Sequence, residues 1–274
     1  MLGEEQYLNL LKDVLENGEE SQGRNAITKS LFAQHLKFDL RDGFPLLTTK
    51  KVPFKSIVEE LLMFLKGQTN TQVLRDKKIH IWDGNTNKQF QELRGLSHLD
   101  EWDMGWMYGK AFRDFEGTDQ LMYCINTIKT DPKSRRILMT SFNPSKVNEG
   151  VLWPCHSVVL QFYVGGTEFL DLFCVNRSSD LFLGLPFNIA STALLLSIVA
   201  KLTNLKPRYL NISLGDCHIY ENHYPQVQKQ LERVPYPFSK LEVNCEGNIE
   251  SLKYEDFKLI GYVSHPVIVG EMIP

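Results

Sequence analysis

The chain has 274 residues, of which 43% are hydrophobic and 23% are charged, and its formal net charge is −3. This composition excludes a disordered chain, and the length fits one large α/β domain. The charge gives no general attraction to nucleic acid or to an anionic membrane, so any anion must be bound by local clusters of arginine.

The cysteines number five, which is odd, and none forms a C-x-x-C pair: Cys124, Cys155, Cys174, Cys217 and Cys245. This pattern argues against a disulfide framework and against a structural zinc site. The N-terminus is acidic and lacks the basic and apolar segments of a signal peptide, and no apolar run reaches membrane-spanning length. We therefore expect a cytoplasmic protein that holds no metal and needs neither a membrane nor nucleic acid.

Two helices and a strand are predicted in the first quarter of the chain. Residues 4–16 form a surface helix, because Tyr7, Leu8, Leu11 and Leu15 recur near the helical spacing. Residues 30–38 have the mixed pattern of a half-buried strand, and "RDGFP" follows as a turn.

The second helix, residues 55–65, has an apolar stripe formed by Ile57, Leu61, Phe64 and Leu65. Glu59 falls opposite this stripe, whereas Glu60 sits on its flank. A carboxylate at the edge of a buried face is a candidate for proton transfer, and the alternative is an ordinary solvated charge.

Residues 84–118 are polar and turn-rich with scattered aromatic residues, which is typical of a functional loop region. The β-rich runs "RILMTSF", "SVVLQFYV" and "EFLDLFCVN" follow, then a long helix over 188–203 and a strand beginning at "YLNISLGDCHIYENH". No linker or repeat marks a boundary. We expect one α/β (α+β) domain over residues 1–274, with helices covering a mixed sheet.

Cys155 differs from the other cysteines in its setting. It follows Pro154, precedes His156 and stands at the entrance of a predicted strand, where a thiol can face a cavity. A nucleophilic role would also need a positive neighbour, because the thiolate is the reactive form. The alternative is a small, inert hydrophobic residue.

Arginine side chains stand next to two of the β-rich runs. Arg135 and Arg136 precede one run, and Arg177 with Ser178 follows another. Forked guanidinium donors and a hydroxyl suit a phosphate, although adjacent arginines can equally be surface charge.

Two further motifs carry polar groups of the kind that bind nucleosides. "LGLPFNIAS" places Asn188 at the start of the long helix, where its amide can cap the helix or pair with the O4 and N3–H edge of uracil. His218 and Tyr220 are two residues apart and therefore lie on the same side of an extended segment.

In this order, the motifs resemble folate-dependent thymidylate synthases of the cysteine-nucleophile superfamily, which also includes the deoxypyrimidine monophosphate hydroxymethylases. The resemblance runs from "DGFPLLTTKK" (42–51) to "GYVSHPVIVGEMIP" (261–274) and is most specific at "PCH" and "LGLPFNIAS". It implies a thymidylate-synthase-like domain whose sheets pack back to back in a symmetric homodimer with shared active sites.

The resemblance also implies roles at the nucleotide. Cys155 would add to C6 of dUMP, with Arg177 favouring its thiolate, and Tyr108 would assist removal of the C5 proton. The remaining nucleotide contacts would be Arg24, Arg177 and Ser178 at the phosphate, joined by Arg135 and Arg136 of a second subunit; Asn188, Asp180 and His156 at the uracil; and His218 and Tyr220 at the deoxyribose.

On the folate side, the resemblance implies 5,10-methylenetetrahydrofolate as cosubstrate. Glu60 would move protons through water, Trp82 would line the folate pocket, and Asp180 would also face the folate. The C-terminal tail would close over the ligands.

Several positions depart from the family pattern, mostly on the folate side and in the tail. The loop at Arg24 is shorter and lacks glycines, one extra residue stands between Cys155 and Gln161, and the other departures are Met63, Trp106, Ala111, Phe112, Asn176 and Pro274. They leave a dUMP hydroxymethylase, in which water quenches the transferred carbon, as an alternative. A non-catalytic or RNA-binding protein on the same scaffold is a third reading.

Overall fold

A six-stranded mixed sheet organises the chain in the computed structural model, which describes residues 3–23, 26–245 and 247–272. The strands of this sheet are β1 (Glu19–Gln22), β2 (Ile27–Asp39), β3 (Leu138–Thr140), β4 (Val159–Gly165), β5 (Phe169–Asp180) and β6 (Lys206–Tyr220). Their order is β1-β2-β6-β5-β4-β3. Strands β5 and β6 run parallel and the other neighbours antiparallel, while β7 (Lys240–Val243) and β8 (Phe257–Ile260) form a separate pair.

The helices of the described residues are α1 (Glu5–Asn17), α2 (Phe54–Leu65), α3 (Gln72–Arg75), α4 (Asp83–Thr86), α5 (Lys88–Leu93), α6 (Tyr108–Arg113), α7 (Gln120–Thr130), α8 (Gly184–Leu202) and α9 (Tyr224–Leu231). Together with the mixed sheet they confirm the predicted fold class.

Helix α8 is the centre of the core. Every residue from 189 to 200 is buried, and the helix packs on β5 and β6. Its length and composition would allow it to cross a membrane, but 78% of an apolar 18-residue stretch of this helix is buried inside the protein. An apolar surface on all sides is what a fully enclosed helix requires.

The sheet has two different faces. The face toward α8 carries buried aliphatic and aromatic side chains such as Leu160, Leu172 and Ile212. Alternate residues point to the opposite face, where Tyr163 is 62% exposed and Phe32 is 79% exposed.

The predicted region of irregular structure at 84–118 is partly wrong, because α5, α6 and the end of α4 lie within it. These helices are four to six residues long, so they are too short for a helical period to show in the sequence. Helix α5 is set by a local signal instead, since the side chain of Asn87 accepts the N–H of Phe90.

Helix α2 is also more enclosed than its pattern suggested. Glu59 was expected on the solvent side, yet it is only 6% exposed and its carboxylate lies 2.5 Å from Nζ of Lys77. The turn after α3 covers this face of the helix and brings the lysine to it. In α1 the buried stripe comprises Tyr7, Leu10, Leu11 and Val14, and Leu8 and Leu15 lie at its edge.

Candidate active site

The start of β4 and the ends of β5 and β6 meet at one edge of the sheet. This follows from the topology, since β4 is antiparallel to β5 and β5 is parallel to β6. The N–H of Arg177 donates to the carbonyl of Cys155 at 2.9 Å, and the N–H of Leu181 donates to that of His218 at 2.8 Å. Most of the residues singled out in the sequence therefore lie around this edge.

Cys155 is partly exposed, whereas the other four cysteines are buried. Burial raises the pKa of the Cys124, Cys174 and Cys217 thiols to about 12. Among the five, Cys155 is the thiol that a reactant can reach.

Tyr108 begins α6 and lies against Cys155. Its hydroxyl oxygen accepts the N–H of Cys155 at 3.2 Å and is 3.6 Å from Sγ. Burial raises the pKa of Tyr108 well above its usual value, so it stays a phenol. Gly109 allows this placement, because a Cβ there would lie 2.3 Å from the carbonyl oxygen of Gln68.

The imidazole of His156 stacks on the Tyr108 ring, with centroids 4.2 Å apart and planes at 23°. Burial lowers the pKa of His156 to about 4. The ring is therefore neutral near pH 7 and provides no positive charge for the neighbouring thiol.

Arg177 is the cation that lies along the segment before Cys155. Its Nε donates to the carbonyl of Pro154 at 2.8 Å, and its Nη2 donates to that of Trp153 at 2.9 Å. The N–H of Ser178 also points to the carbonyl of Cys155, at 3.3 Å. Arg177 thus fixes the loop that carries the thiol while its charge stays at the edge of the site.

Glu60 and Trp82 contact each other directly, with the indole Nε1 donating to Oε1 at 2.7 Å. Burial raises the pKa of Glu60 to about 7, against the opposing effect of this hydrogen bond. One turn along α2, the Phe64 ring contacts both Trp82 and Tyr108, with centroids 6.4 and 5.0 Å away. Helix α2 therefore carries the Glu60 carboxyl, whose pKa is about 7, and also contacts Tyr108 beside Cys155 through Phe64.

His218 and Tyr220 lie on the same side of β6, as their spacing predicts, with ring centroids 5.1 Å apart. His218 Nδ1 is 2.6 Å from a carboxylate oxygen of Asp216, which fixes the orientation of the imidazole. Sequence reasoning missed Asp216, although the D-x-H spacing on a strand places the two on one face.

Asp180 and Asn188 flank the entry to α8. Asp180 Oδ1 accepts the N–H groups of Phe182 and Leu183 at 2.9 and 3.2 Å. Helix α8 begins at Gly184, four residues earlier than expected, so the partly exposed Asn188 belongs to the first turns of the helix and does not cap it.

Lys50 is a candidate functional residue that the sequence analysis did not identify. It is buried, its Nζ donates to the carbonyl of Phe182, and it lies over the Phe182 ring. Burial lowers the pKa of Lys50 to about 7, with Asp180 opposing the effect. In the sequence Lys50 belongs to the polar run "TTKK", which does not predict burial. The lysine is buried because this run packs against Phe182, just before α8.

Arg135 and Arg136 do not join this edge of their own sheet. Thr140 pairs with Val159 and Leu138 with Gln161, so the chain before β3 runs away from Cys155. Arg136 is level with Tyr163, four residues from Val159, which is about 13 Å along the strand. Both arginines are exposed. Arg24 and Pro274 lie outside the described residues.

Known proteins match nearly the whole length of the chain. The thymidylate synthase family model matches residues 5–274. The chain is 42% identical over 285 residues to thymidylate synthase of Mesoplasma florum, an alignment that covers 97% of this chain and 99% of that protein. It is 43% identical to thymidylate synthase of Mycoplasma mobile, over 98% and 99% of the two chains.

A bifunctional dihydrofolate reductase-thymidylate synthase of Leishmania major is 43% identical over 287 residues, which cover 98% of this chain and 55% of that larger protein. The match spans nearly the whole chain in each case. The chain belongs to the thymidylate synthase family.

Proposed function

We propose that the protein is a thymidylate synthase that converts dUMP to dTMP with 5,10-methylenetetrahydrofolate, using Cys155 as nucleophile. The observation that carries the proposal is the accessible thiol of Cys155 beside the Tyr108 hydroxyl, at the edge where β4, β5 and β6 meet. Full-length relatives named thymidylate synthase support methylation over hydroxymethylation.

Carbon C5 of uracil is a weak nucleophile, and covalent catalysis removes that difficulty. The Cys155 thiolate forms a bond to C6, which turns C5 into an enolate-type carbon that takes up the one-carbon unit. Loss of the C5 proton and cleavage of the bond between the one-carbon unit and the folate leave a methylene group on C5. Hydride transfer from the folate to this methylene, with cleavage of the sulfur–carbon bond, then releases dTMP and the Cys155 thiolate. The folate cosubstrate supplies the one-carbon unit and then a hydride, and it leaves as dihydrofolate.

Arg177 stabilises the thiolate, since His156 is neutral at pH 7. Tyr108 assists removal of the C5 proton. Its hydroxyl already accepts the N–H of Cys155, so its own proton is directed away from that bond and toward the sulfur or a ligand.

The nucleotide is held by groups along the same edge. Arg177 and Ser178 bind the phosphate, together with Arg24, for which the proposal rests on the sequence alone. Further contacts come from Asn188, Asp180 and His156 at the uracil and from His218 and Tyr220 at the deoxyribose, with Asp216 orienting the imidazole of His218.

Arg135 and Arg136 complete the phosphate site from a second copy of the chain. Their position at the far end of β4 and their exposure support a role outside their own protomer. The sheet face opposite α8 offers the contact surface, with exposed Tyr163 beside a cavity of about 320 Å³ lined also by Gln161, Phe173 and Asn211. Packing two such faces back to back gives a symmetric homodimer.

The folate side offers a fitting set of groups. Trp82 presents an aromatic wall next to the buried Glu60 carboxyl, and Asp180 has Oδ1 occupied by backbone donors, so Oδ2 can accept an N–H of the pteridine. Glu60, with a pKa of about 7, can both release and take up a proton through water. A single catalytic domain and a cytoplasmic location complete the proposal.

Product analysis tests the proposal. Incubation with dUMP and 5,10-methylenetetrahydrofolate should yield dTMP and an equal amount of dihydrofolate, both measured by chromatography. Formation of 5-hydroxymethyl-dUMP without dihydrofolate would replace the synthase by the hydroxymethylase. Absence of a covalent complex with 5-fluoro-dUMP and the folate would favour the non-catalytic reading.

The Cys155→Ser variant provides the specific control. It should lose product formation and covalent trapping, whereas Cys245→Ser, at a buried thiol elsewhere, should retain both. Full turnover by Cys155→Ser would overturn the proposed nucleophile.

A further inference from the structure

The chain makes a left-handed turn between Cys155 and strand β4. Ser157 has φ +51°, a conformation that non-glycine residues rarely adopt, and β4 begins only at Val159. This turn lies in the stretch between Cys155 and Gln161, where the resemblance implies one extra residue. A strained backbone two residues from a nucleophile persists only if its surroundings hold it in place.

Asn176 holds this turn. Its side chain is fully buried, and its Oδ1 accepts the N–H of Ser157 at 3.0 Å. The same oxygen accepts the thiol of Cys174 at 3.3 Å. On the other side of the turn, the carbonyl of Ser157 accepts the hydroxyl of Ser141 at 3.0 Å.

The turn is coupled to the sulfur by short contacts. Ser157 Oγ lies 3.1 Å from Nδ1 of His156, whose ring stacks on Tyr108, and Tyr108 in turn binds the N–H of Cys155. Asn176 also directly precedes Arg177, which holds the Cys155 carbonyl through its backbone. One buried amide thus fixes the chain after Cys155, while its neighbour fixes the chain before it.

We infer that Asn176 is a positioning residue for the Cys155 nucleophile: its amide oxygen holds the Ser157 turn, which aims the side chains of Cys155 and His156. Because Asn176 is fully buried, it acts through these contacts and does not reach the surface of the site. The role of Asn176 in catalysis rests on the proposed function. Its effect on the position of the Cys155 thiol does not, because the reactivity of that thiol can be measured without any nucleotide.

Three variants test the inference. Asn176→Ala removes the acceptor and leaves the Ser157 N–H unpaired, whereas Asn176→Asp keeps an acceptor oxygen at the same distance from the backbone. Ser179→Ala is the matched control, because Ser179 is also buried on β5 and its hydroxyl has no partner among the described residues.

The first readout is the rate at which iodoacetamide alkylates Cys155 in the free protein, located by peptide mass mapping. We expect Asn176→Ala to lower both the alkylation rate and kcat by about 10- to 100-fold, since small misplacements of a reacting group have effects of that size. The KM for dUMP should change little. Asn176→Asp should recover most of both rates, and Ser179→Ala should match the parent protein.

Two outcomes would overturn the inference. One is a folded Asn176→Ala protein that keeps the parental alkylation rate and kcat. The other is an Asn176→Asp protein that is slower than the parent protein by the factor expected for the alanine variant, a comparison that needs no folded alanine variant. If Asn176→Ala is alkylated slowly and the parent protein makes no dTMP, the positioning role is supported and only the proposed function is refuted.

Discussion

Replacing Glu60 by glutamine should stabilise the protein in a way that depends on pH. Glu60 is 8% exposed, and burial raises its pKa from 4.5 to about 7. Between these values the unfolded chain carries a carboxylate while the folded chain carries the neutral acid. The stability of the parent protein therefore falls as pH rises from 4.5 to 7, and the loss is complete above pH 7.

The magnitude follows from this shift. The raised pKa lowers the free energy of unfolding by about 1 kcal/mol at pH 5 and by about 3 kcal/mol at pH 8. Glutamine has no such titration, and its amide oxygen can still accept the indole N–H of Trp82. The stability difference between Glu60→Gln and the parent should therefore grow by about 2 kcal/mol from pH 5 to pH 8.

Urea denaturation at both pH values, at one protein concentration, measures this change. The matched control is Glu59→Gln, which breaks the ion pair with Lys77 and should lower the stability at pH 8. A difference between Glu60→Gln and the parent that stays constant from pH 5 to pH 8 would refute the reasoning. The same variant should lose about 100-fold or more in kcat, since general acid–base groups contribute effects of that order.

Three further predictions address other parts of the molecule. Lys50→Met should raise the free energy of unfolding at pH 7 by up to about 4 kcal/mol, because burial lowers the pKa of the lysine from 10.5 to about 7. The parent protein regains this stability as the pH rises from 7 to 10.5. Thermal melts in which the stability difference between variant and parent does not shrink over that range would contradict the prediction. Glu4→Ala should lower the free energy of unfolding, measured by urea denaturation, by roughly 3 kcal/mol, because the buried carboxylate accepts the N–H groups of Thr48 and Thr49. Glu5 is an exposed neighbour, so an equal loss in Glu5→Ala would contradict this reason. Mixing inactive Cys155→Ser with inactive Arg136→Glu should restore activity through hybrid dimers with one intact site, and no gain after subunit exchange would argue against shared sites.

Local patterns in the sequence were sufficient for the elements and motifs that depend on neighbouring residues. The period of α2, the apolar run of α8 and the spacing of His218 and Tyr220 each predicted an observed arrangement, because side-chain direction repeats regularly along helices and strands. The setting of Cys155 at a strand entrance likewise distinguished it from four buried cysteines.

Contacts between distant segments decided the rest. Glu59 is buried because Lys77 and the turn after α3 cover it, and Lys50 is buried because its segment packs under the entry to α8. The antiparallel register of β3 and β4 moves Arg136 away from Cys155, and the Ser157 turn meets Asn176 from 19 residues further along the chain. Burial and charge environment at these positions depend on which segments pack together, and a periodic pattern within one segment contains no information about its partner.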